Sequence, residues 1–534
     1  MRILAVIPAR AGSKGIPNKN IRIINGRPMI YYVISNGLKS KLITDIVVTT
    51  DSPEVIQIAK QMGVNYKKRK AELSGDNITL DAVVFDAIPE GEEYDYIVTL
   101  QTTSPTLSVE TLDKAIEYTI SNGLDTVISA VNHPHLSWRE QDGKKVPNYK
   151  KRLNRQYLPP YYLEAGAFVI SKRSVVKPDS RIGKNLDLFE ISDDEAIDID
   201  NFADLQHAAD ILARKKIAIY VNGNNKRGMG HIYRALEIAD ELYCKPDIIF
   251  DKNQTDKKSF GRTTHNLIPV DGIGELYEKC KKQQYNLFIN DILATNKKYM
   301  NGLRASLPGG AKIINFEDDG EGNSEADLVF NALYNESSSS KIKCGAKYYI
   351  CAKTFLMYNP IAISSKVKDV LIAFGGADPQ NYTDRLLRII SKQEYKNCHF
   401  KVVLGRAKKN VKSLLKYNNC ENIDVLHDVK NMPELISTTD MAITSRGRTG
   451  YELALLGVPT IAMAQNAREE KHGFVNDDNG FSYIGLNPSD EVIEGNLRTY
   501  LNLSQESRQE LQDLLLQHDL RNGRKHVMSL INSL

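Results

Sequence analysis

Short β-branched runs alternate with amphipathic stretches along almost the whole chain. Ile3 to Pro8, Asp45 to Thr50, Tyr96 to Gln101 and Thr126 to Val131 read as buried strands, and the segments after Pro28, Pro53 and Val109 have helical spacing between them. Strands alternating with helices predict a parallel α/β sheet. The pattern closes on a helix near Ala203 to Arg214 and restarts at Ile217-Ala218-Ile219-Tyr220-Val221, followed by a polar, glycine-containing stretch from Asn222 to Gly230 and a helix from His231. A third start, Asp369 to Gly376, follows the breaker-containing Tyr358 to Ser365. A strand, a glycine loop and a helix opening afresh mark a new domain. Domains are therefore expected over 1–214, 216–364 and 366–534, with a helical tail from Gln505 to Leu534 packing back across the last two.

Composition narrows the function classes. The 534 residues carry 70 Lys plus Arg against 66 Asp plus Glu, a formal net charge of +4, so charge gives no reason to expect a nucleic-acid or membrane partner. No stretch approaches the roughly 18 apolar residues of a membrane span, and the first strand is too short for a signal peptide. The six cysteines, at 244, 280, 344, 351, 398 and 420, form no C-x-x-C pair, which argues against a zinc ribbon or a disulfide framework. These features predict a reduced, cytoplasmic protein.

The first strand runs into Pro8-Ala9-Arg10-Ala11-Gly12-Ser13-Lys14-Gly15-Ile16-Pro17-Asn18-Lys19-Asn20, a loop that offers backbone N–H groups and cations to phosphates. Further along lie Thr49-Thr50-Asp51, Arg69 to Asp76, Leu100-Gln101-Thr102-Thr103-Ser104-Pro105, Arg155-Gln156-Tyr157-Leu158-Pro159, Glu164-Ala165-Gly166-Ala167 and Ala196-Ile197-Asp198-Ile199-Asp200. In order and content these resemble the motifs of the cytidylyltransferases that activate nonulosonic acids, the CMP-sialic acid synthetase family. The chain has Thr102 where that family usually has proline. It also lacks the R-L-P-G-K-P-L ending of the related octulosonate enzymes.

An extended Ile197-Asp198-Ile199-Asp200 puts both carboxylates on one side, where they repel unless a cation lies between them. Mg²⁺ suits such a pair, because it binds through few carboxylates plus substrate phosphates. With the resemblance, this implies CTP as donor and a nonulosonic acid as acceptor. Arg10 and Lys19 are expected to hold the triphosphate, with the backbone of Gly12, Ser13, Lys14 and Gly15 cradling phosphate. Asn20, Arg69, Asp76 and Gln101 are expected to fix nucleotide and sugar, and Arg155, Gln156 and Glu164 to line the acceptor side with Gln101. The family usually has an arginine and an asparagine before Gly-Ala, and here Leu163, Glu164 and Ala165 stand in that region. The acceptor therefore remains open among sialic-, pseudaminic- and legionaminic-type acids. His133, His135 and Trp138 lie in a loop that could face it. A sugar-1-phosphate nucleotidyltransferase is the other reading of this unit, and a homodimer is expected from the resemblance.

In the second half, Gly228-Met229-Gly230-His231-Ile232-Tyr233-Arg234 sits where a loop becomes a helix. The positive helix end favours a neutral imidazole able to take a proton. The string G-x-G-H-x-x-R resembles the UDP-sugar hydrolase of pseudaminic acid biosynthesis and its spore-coat polysaccharide relatives, which share the two-lobed GT-B architecture. The resemblance is supported by Ala373 to Pro379, containing Gly376, by Thr444 to Glu452, containing Arg446, Gly447, Thr449 and Glu452, and by Gln465-Asn466 with Arg468, Glu469 and His472. It implies a UDP-sugar site with His231 as general base and Gly228, Gly230 and Arg234 beside it. A non-catalytic nucleotide-sugar module and a glycosyltransferase are the alternatives. The expected architecture is a Rossmann-like nucleotidyltransferase α/β/α domain followed by a GT-B-like pair of Rossmann-like domains.

Overall fold

The computed structural model describes residues 1–12, 15–75, 77–223, 229–334 and 339–534. Ser13, Lys14, Asp76 and Gly228, each expected at a site, lie outside the described residues. The chain divides into two compact units, Met1–Arg214 and Lys215–Leu534.

In the first unit the apolar runs become a seven-stranded sheet. Its order is Leu186–Glu190, Thr126–Asn132, Tyr162–Lys172, Tyr96–Leu100, Ile3–Pro8, Asp45–Thr50 and Asn65–Lys68. Strand Ile3–Pro8 is buried on both faces because helices Met29–Lys39, Pro53–Gln61, Leu80–Ala87 and Val109–Ser121 pack around the sheet, which is why it reads as a continuous apolar run. Ser52 and Ser108 cap two of these helices by accepting from the backbone N–H of Val55 and Thr111.

The sheet departs from the expected parallel pattern at Tyr162–Lys172, which runs antiparallel to both its neighbours. Its register shifts between Glu164 and Val169, so the Glu-Ala-Gly-Ala motif is a bulge. Ser129 Oγ secures it, donating to Ala165 O and accepting from Phe168 N. Alternation breaks within a bulge, which hides the strand from a reading by periodicity.

The second unit contains two sheets. The first runs Asn266–Val270, Asp247–Asp251, Ile217–Val221, Leu287–Asp291, Lys312–Phe316, Leu328–Asn331, Ile342–Cys344. The second runs Ile423–His427, His399–Leu404, Asp369–Ala373, Met441–Ser445, Thr460–Ala464, Phe481–Leu486. All pairings in both sheets are parallel. In each the chain winds outward from its first strand and then reverses to the other side, the doubly wound Rossmann order with a switch point beside that strand.

The tail ends in helices Gln505–Leu516 and Gly523–Asn532. Leu515 packs in the core of the second sheet, while Val527, Met528 and Ile531 complete the core of the first. Arg524 fixes this return, donating to Glu241 at 2.9 Å, to Cys351 O at 2.8 Å and to Glu237. No helix among the described residues is long and apolar enough to cross a membrane.

A Cβ on Gly523 would lie 2.1 Å from the carbonyl oxygen of Tyr349, a backbone atom that cannot swing aside. Gly523→Ala is expected to destabilise the second unit by about 1–3 kcal/mol through overpacking. Urea unfolding followed by tyrosine fluorescence would register this as an earlier midpoint.

Candidate active site

The switch point of the first sheet lies between Ile3–Pro8 and Tyr96–Leu100, the two strands whose following loops carry the phosphate-type string and the Gln101 motif. Between those loops opens a cavity of about 450 Å³, lined by Pro8, Arg10, Gly15, Lys19, Asn20, Arg69, Gln101 and Asp200 among others. Residues far apart in sequence are brought to this one place by the crossover topology.

The walls interlock. Lys19 Nζ donates to Ile199 O at 2.7 Å and reaches Asp200 Oδ1 at 3.1 Å. Gly15 presses on the same segment, where a Cβ would meet Asp200 O at 2.5 Å. Ile199 N in turn donates to Thr103 O at 2.9 Å. Asn20, expected to contact nucleotide, is buried with both ends of its amide engaged: Nδ2 donates to Arg10 O at 2.8 Å and Oδ1 accepts from Thr102 Oγ1 at 2.6 Å. Thr102, the residue that departs from the family pattern, therefore ties the phosphate-type loop to the far wall. Gly12 takes the left-handed φ of 72° that its turn requires.

Electrostatically the cavity is cationic with an acidic edge. Arg69 is 7% exposed and donates to Thr49 O at 3.0 Å. Burial pulls its guanidinium below the ordinary arginine value, with Asp51 opposing and Arg10 adding to the effect. Its Nε is buried with no hydrogen-bond partner among the described residues. Ile199 is buried while Asp198 and Asp200 are exposed, the alternation expected for an extended segment.

These two carboxylates fit Mg²⁺. Asp200 lines the cation-bearing cavity, and Asp198 and Asp200 both offer hard oxygen acceptors to solvent. Mg²⁺ needs few protein carboxylates, because it keeps water and takes substrate oxygens. Gly166, in the bulge, lies against Asp198, where a Cβ would sit 3.1 Å from Oδ2. Sequence reasoning assigned that glycine no contact; the tertiary fold gives it one.

Other expected residues fall elsewhere. Arg155, Gln156 and Glu164 are exposed and outside the cavity's lining. His133 pairs with Asp193 at 2.9 Å, and Trp138 is exposed on a short hairpin with its ring edge to Tyr149. The segment after Arg69 contributes Leu73, Gly75, Ile78, Leu80 and Val83 to the lining, an apolar wall whose residues carry no chemical signal.

The second unit has its own polar cluster at the C-terminal ends of its strands. His231, in the first turn of helix Gly230–Glu241, places Nδ1 2.6 Å from Asp291 Oδ1 at the end of Leu287–Asp291. These elements flank that sheet's switch point. Arg234 clamps the same carboxylate through Nε at 2.8 Å and Nη2 at 2.5 Å. Burial works to raise the Asp291 carboxyl, but Arg234 and then His231 hold it below the usual range. An ionised Asp291 accepts from Nδ1–H, which directs the basic lone pair of a neutral ring to Nε2. Asp291 appears in none of the sequence motifs, and a lone aspartate ending an apolar strand gave no sign of its role.

The expected nucleotide-sugar residues have varied surroundings. Arg446 donates to Val475 O at 2.8 Å and Glu470 O at 3.1 Å and stacks 4.0 Å over Tyr483, so its guanidinium braces its own lobe. Gly230 faces Arg448, whose Cδ would meet a Cβ at 3.1 Å. Gly447 caps helix Arg448–Leu455, which carries Thr449 and Glu452, and burial pushes the Glu452 carboxyl up to about 7. Gln465 Nε2 donates to Phe374 O at 2.9 Å, while Asn466 Oδ1 accepts from the backbone N–H of Arg468 and Glu469. Gly376 has open space where a Cβ would stand.

A glycine-bearing cationic loop at a sheet's switch point, faced by an extended pair of carboxylates, defines the first unit as a nucleotide-handling α/β enzyme domain. A family model described as Cytidylyltransferase matches residues 4–218. Post-translational flagellin modification protein B of Campylobacter coli is 35% identical over 227 residues, covering 40% of this chain and 97% of that protein. The CMP-N,N'-diacetyllegionaminic acid synthase of Campylobacter jejuni is 32% identical over 228 residues, with shares of 40% and 97%. The chain belongs to the cytidylyltransferase family, through its first unit. Among solved structures, Acinetobacter baumannii MurG covers 60% of this chain and 100% of its own, at 16% identity and a TM-score of 0.46.

Thr102→Val keeps the shape of the side chain and leaves the buried Asn20 Oδ1 without its donor. The variant is expected to lose about 1–3 kcal/mol of stability and to lower kcat/KM for nucleotidyl transfer, read by thermal melting and steady-state kinetics.

Proposed function

We propose that the first unit transfers CMP from CTP to a nonulosonic acid with release of pyrophosphate. The observation that carries this reading is the cavity itself, which Arg10, Lys19, Arg69 and Asp200 line together. The acceptor class is supported by the likeness to the Campylobacter jejuni CMP-N,N'-diacetyllegionaminic acid synthase. The anomeric hydroxyl of the sugar acid attacks the α-phosphorus, a new P–O bond forms, the hydroxyl proton passes to solvent, and the bond to the β-phosphate oxygen breaks, its electrons leaving with pyrophosphate. Arg10 and Lys19 hold the triphosphate and offset the charge that grows on the leaving pyrophosphate. Arg69 adds a further cation to the wall, and Gln101 borders the nucleotide from the neighbouring loop. Asp198 and Asp200 would hold Mg²⁺, which when bound neutralises charge on the phosphoryl group undergoing transfer. Positioning and electrostatics of this kind account for most of the catalysis in phosphoryl-type transfer.

We read the second unit as a hydrolase of a UDP-linked deoxyaminosugar, supported by the His231–Asp291–Arg234 cluster at the switch point. His231 takes a proton from water as its oxygen bonds to the anomeric carbon, and UDP departs with the electrons of the broken C–O bond.

Pyrophosphate release by the full chain from CTP with a panel of nonulosonic acids tests the first reading. Asp200→Asn is expected to lower turnover about 100-fold or more, and undiminished turnover in that variant would remove the metal role. For the second unit, UDP-N-acetylglucosamine is expected to give free UDP and free sugar, with His231→Ala about 100-fold slower. An acceptor-dependent product would mean a glycosyltransferase, and binding without turnover a nucleotide-sugar module.

A further inference from the structure

Glu317 lies outside every sequence motif, yet its surroundings are unusual. It follows strand Lys312–Phe316, is 4% exposed, and has a φ of 49°, a left-handed conformation that costs a non-glycine residue about 1 kcal/mol or more. Its backbone is held on both sides: Glu317 N donates to Phe330 O at 2.8 Å, and Glu317 O accepts from Arg468 Nη2 at 3.0 Å. The side chain is anchored by Arg234, and the backbone N–H of Leu333 also favours its charged form. Oε1 accepts from Arg234 Nη1 at 3.3 Å, whereas Oε2 is buried with no hydrogen-bond partner among the described residues.

The neighbouring strand end repeats this arrangement. Strand Leu328–Asn331 pairs in parallel with Lys312–Phe316, placing Asn331 beside the position of Glu317. Asn331 is 6% exposed, its Nδ2 donates to Asp318 O at 2.9 Å, and its Oδ1 likewise lacks a partner among the described residues. Two buried oxygens on adjacent strand ends are thus left as acceptors. Leaving a buried acceptor unsatisfied costs about 1–3 kcal/mol, and fixing one by a strained backbone adds to that cost. Both terms are recovered if a ligand brings donors to these oxygens. The complementary ligand is rich in O–H or N–H groups and is not a phosphate, which a carboxyl would repel.

We propose that Glu317 is a sugar-contacting residue of the second unit, its Oε2 together with Asn331 Oδ1 accepting hydrogen bonds from hydroxyl or acetamido N–H groups of a nucleotide-linked sugar. This deepens the nucleotide-sugar reading and rests on it. Arg234 joins the two ends of the site, since it clamps Asp291 behind His231 and also holds Oε1 of Glu317.

Calorimetric titration of the full chain with UDP-N-acetylglucosamine and with UDP alone tests the proposal. Glu317→Gln, which replaces the acceptor by an amide, is expected to weaken UDP-N-acetylglucosamine about 10-fold or more and UDP less than about 2-fold. Asn331→Ser, which breaks no ion pair, provides the same test if Glu317→Gln fails to fold, and is expected to show the same selective loss. Unchanged affinities, or equal losses on both ligands, would overturn the assignment. Selective loss in a protein that binds UDP-N-acetylglucosamine without turnover supports the assignment and rejects hydrolysis. A wild-type chain that binds neither ligand rejects both the assignment and the nucleotide-sugar reading.

Discussion

The first site depends on the contact between the loop after Pro8 and the strip that ends at Asp200. Lys19 reaches across 180 positions of sequence to the carbonyl of Ile199, and Gly15 allows the loop backbone to approach Asp200 O more closely than any side chain would permit. These contacts set Lys19 against Asp200 and tie the loop to the segment around Ile199. An isolated loop of this composition would pay the full conformational entropy of ordering. Here the carbonyl of Ile199, itself tied to Thr103, and the Asn20–Thr102 hydrogen bond help to hold it in place. The glycine that a motif reading assigns to phosphate has a packing reason as well.

The second unit solves a different problem, keeping an ionised aspartate in a dry interior. Asp291 has no exposed surface and would be strongly disfavoured alone. Arg234 meets it with two N–H groups and His231 with one, so the charge is paired and its lone pairs are used. Arg234 is committed in turn, lying 5.4 Å from the centre of the Phe316 ring and reaching Glu317. Such a network is costly to build and rigid once satisfied. That rigidity suits a site that must orient an imidazole, and it makes the unsatisfied oxygens of Glu317 and Asn331 stand out.

Near-neutral charge overall is compatible with strongly charged sites because the charges are sorted locally. Arg10, Lys19 and Arg69 face one cavity, and Arg524 is spent on Glu237 and Glu241 to dock the last helix. Arg446 braces the carbonyls of Glu470 and Val475. An arginine beside a glycine in a loop reads the same in sequence whether it awaits a ligand or fills its own lobe, because only the position of nearby carbonyls distinguishes the two.

By itself the sequence determined most of the elements and the α/β class. Buried strands such as Ile3–Pro8 and Asp45–Thr50 must be apolar throughout, helices such as Val109–Ser121 must show a stripe, and an extended D-x-D segment must alternate, all local consequences of backbone geometry. The ordered motifs also identified the cytidylyltransferase family. Tertiary structure alone decided what depends on long-range register: the reversed, bulged strand Tyr162–Lys172, the use of Asn20 as a bridge to Thr102, the exposure of Arg155, Gln156 and Glu164 away from the cavity, and the meeting of Asp291 and Glu317 with Arg234. Each rests on which strand ends become neighbours, and a strand's own residues carry no record of its neighbour.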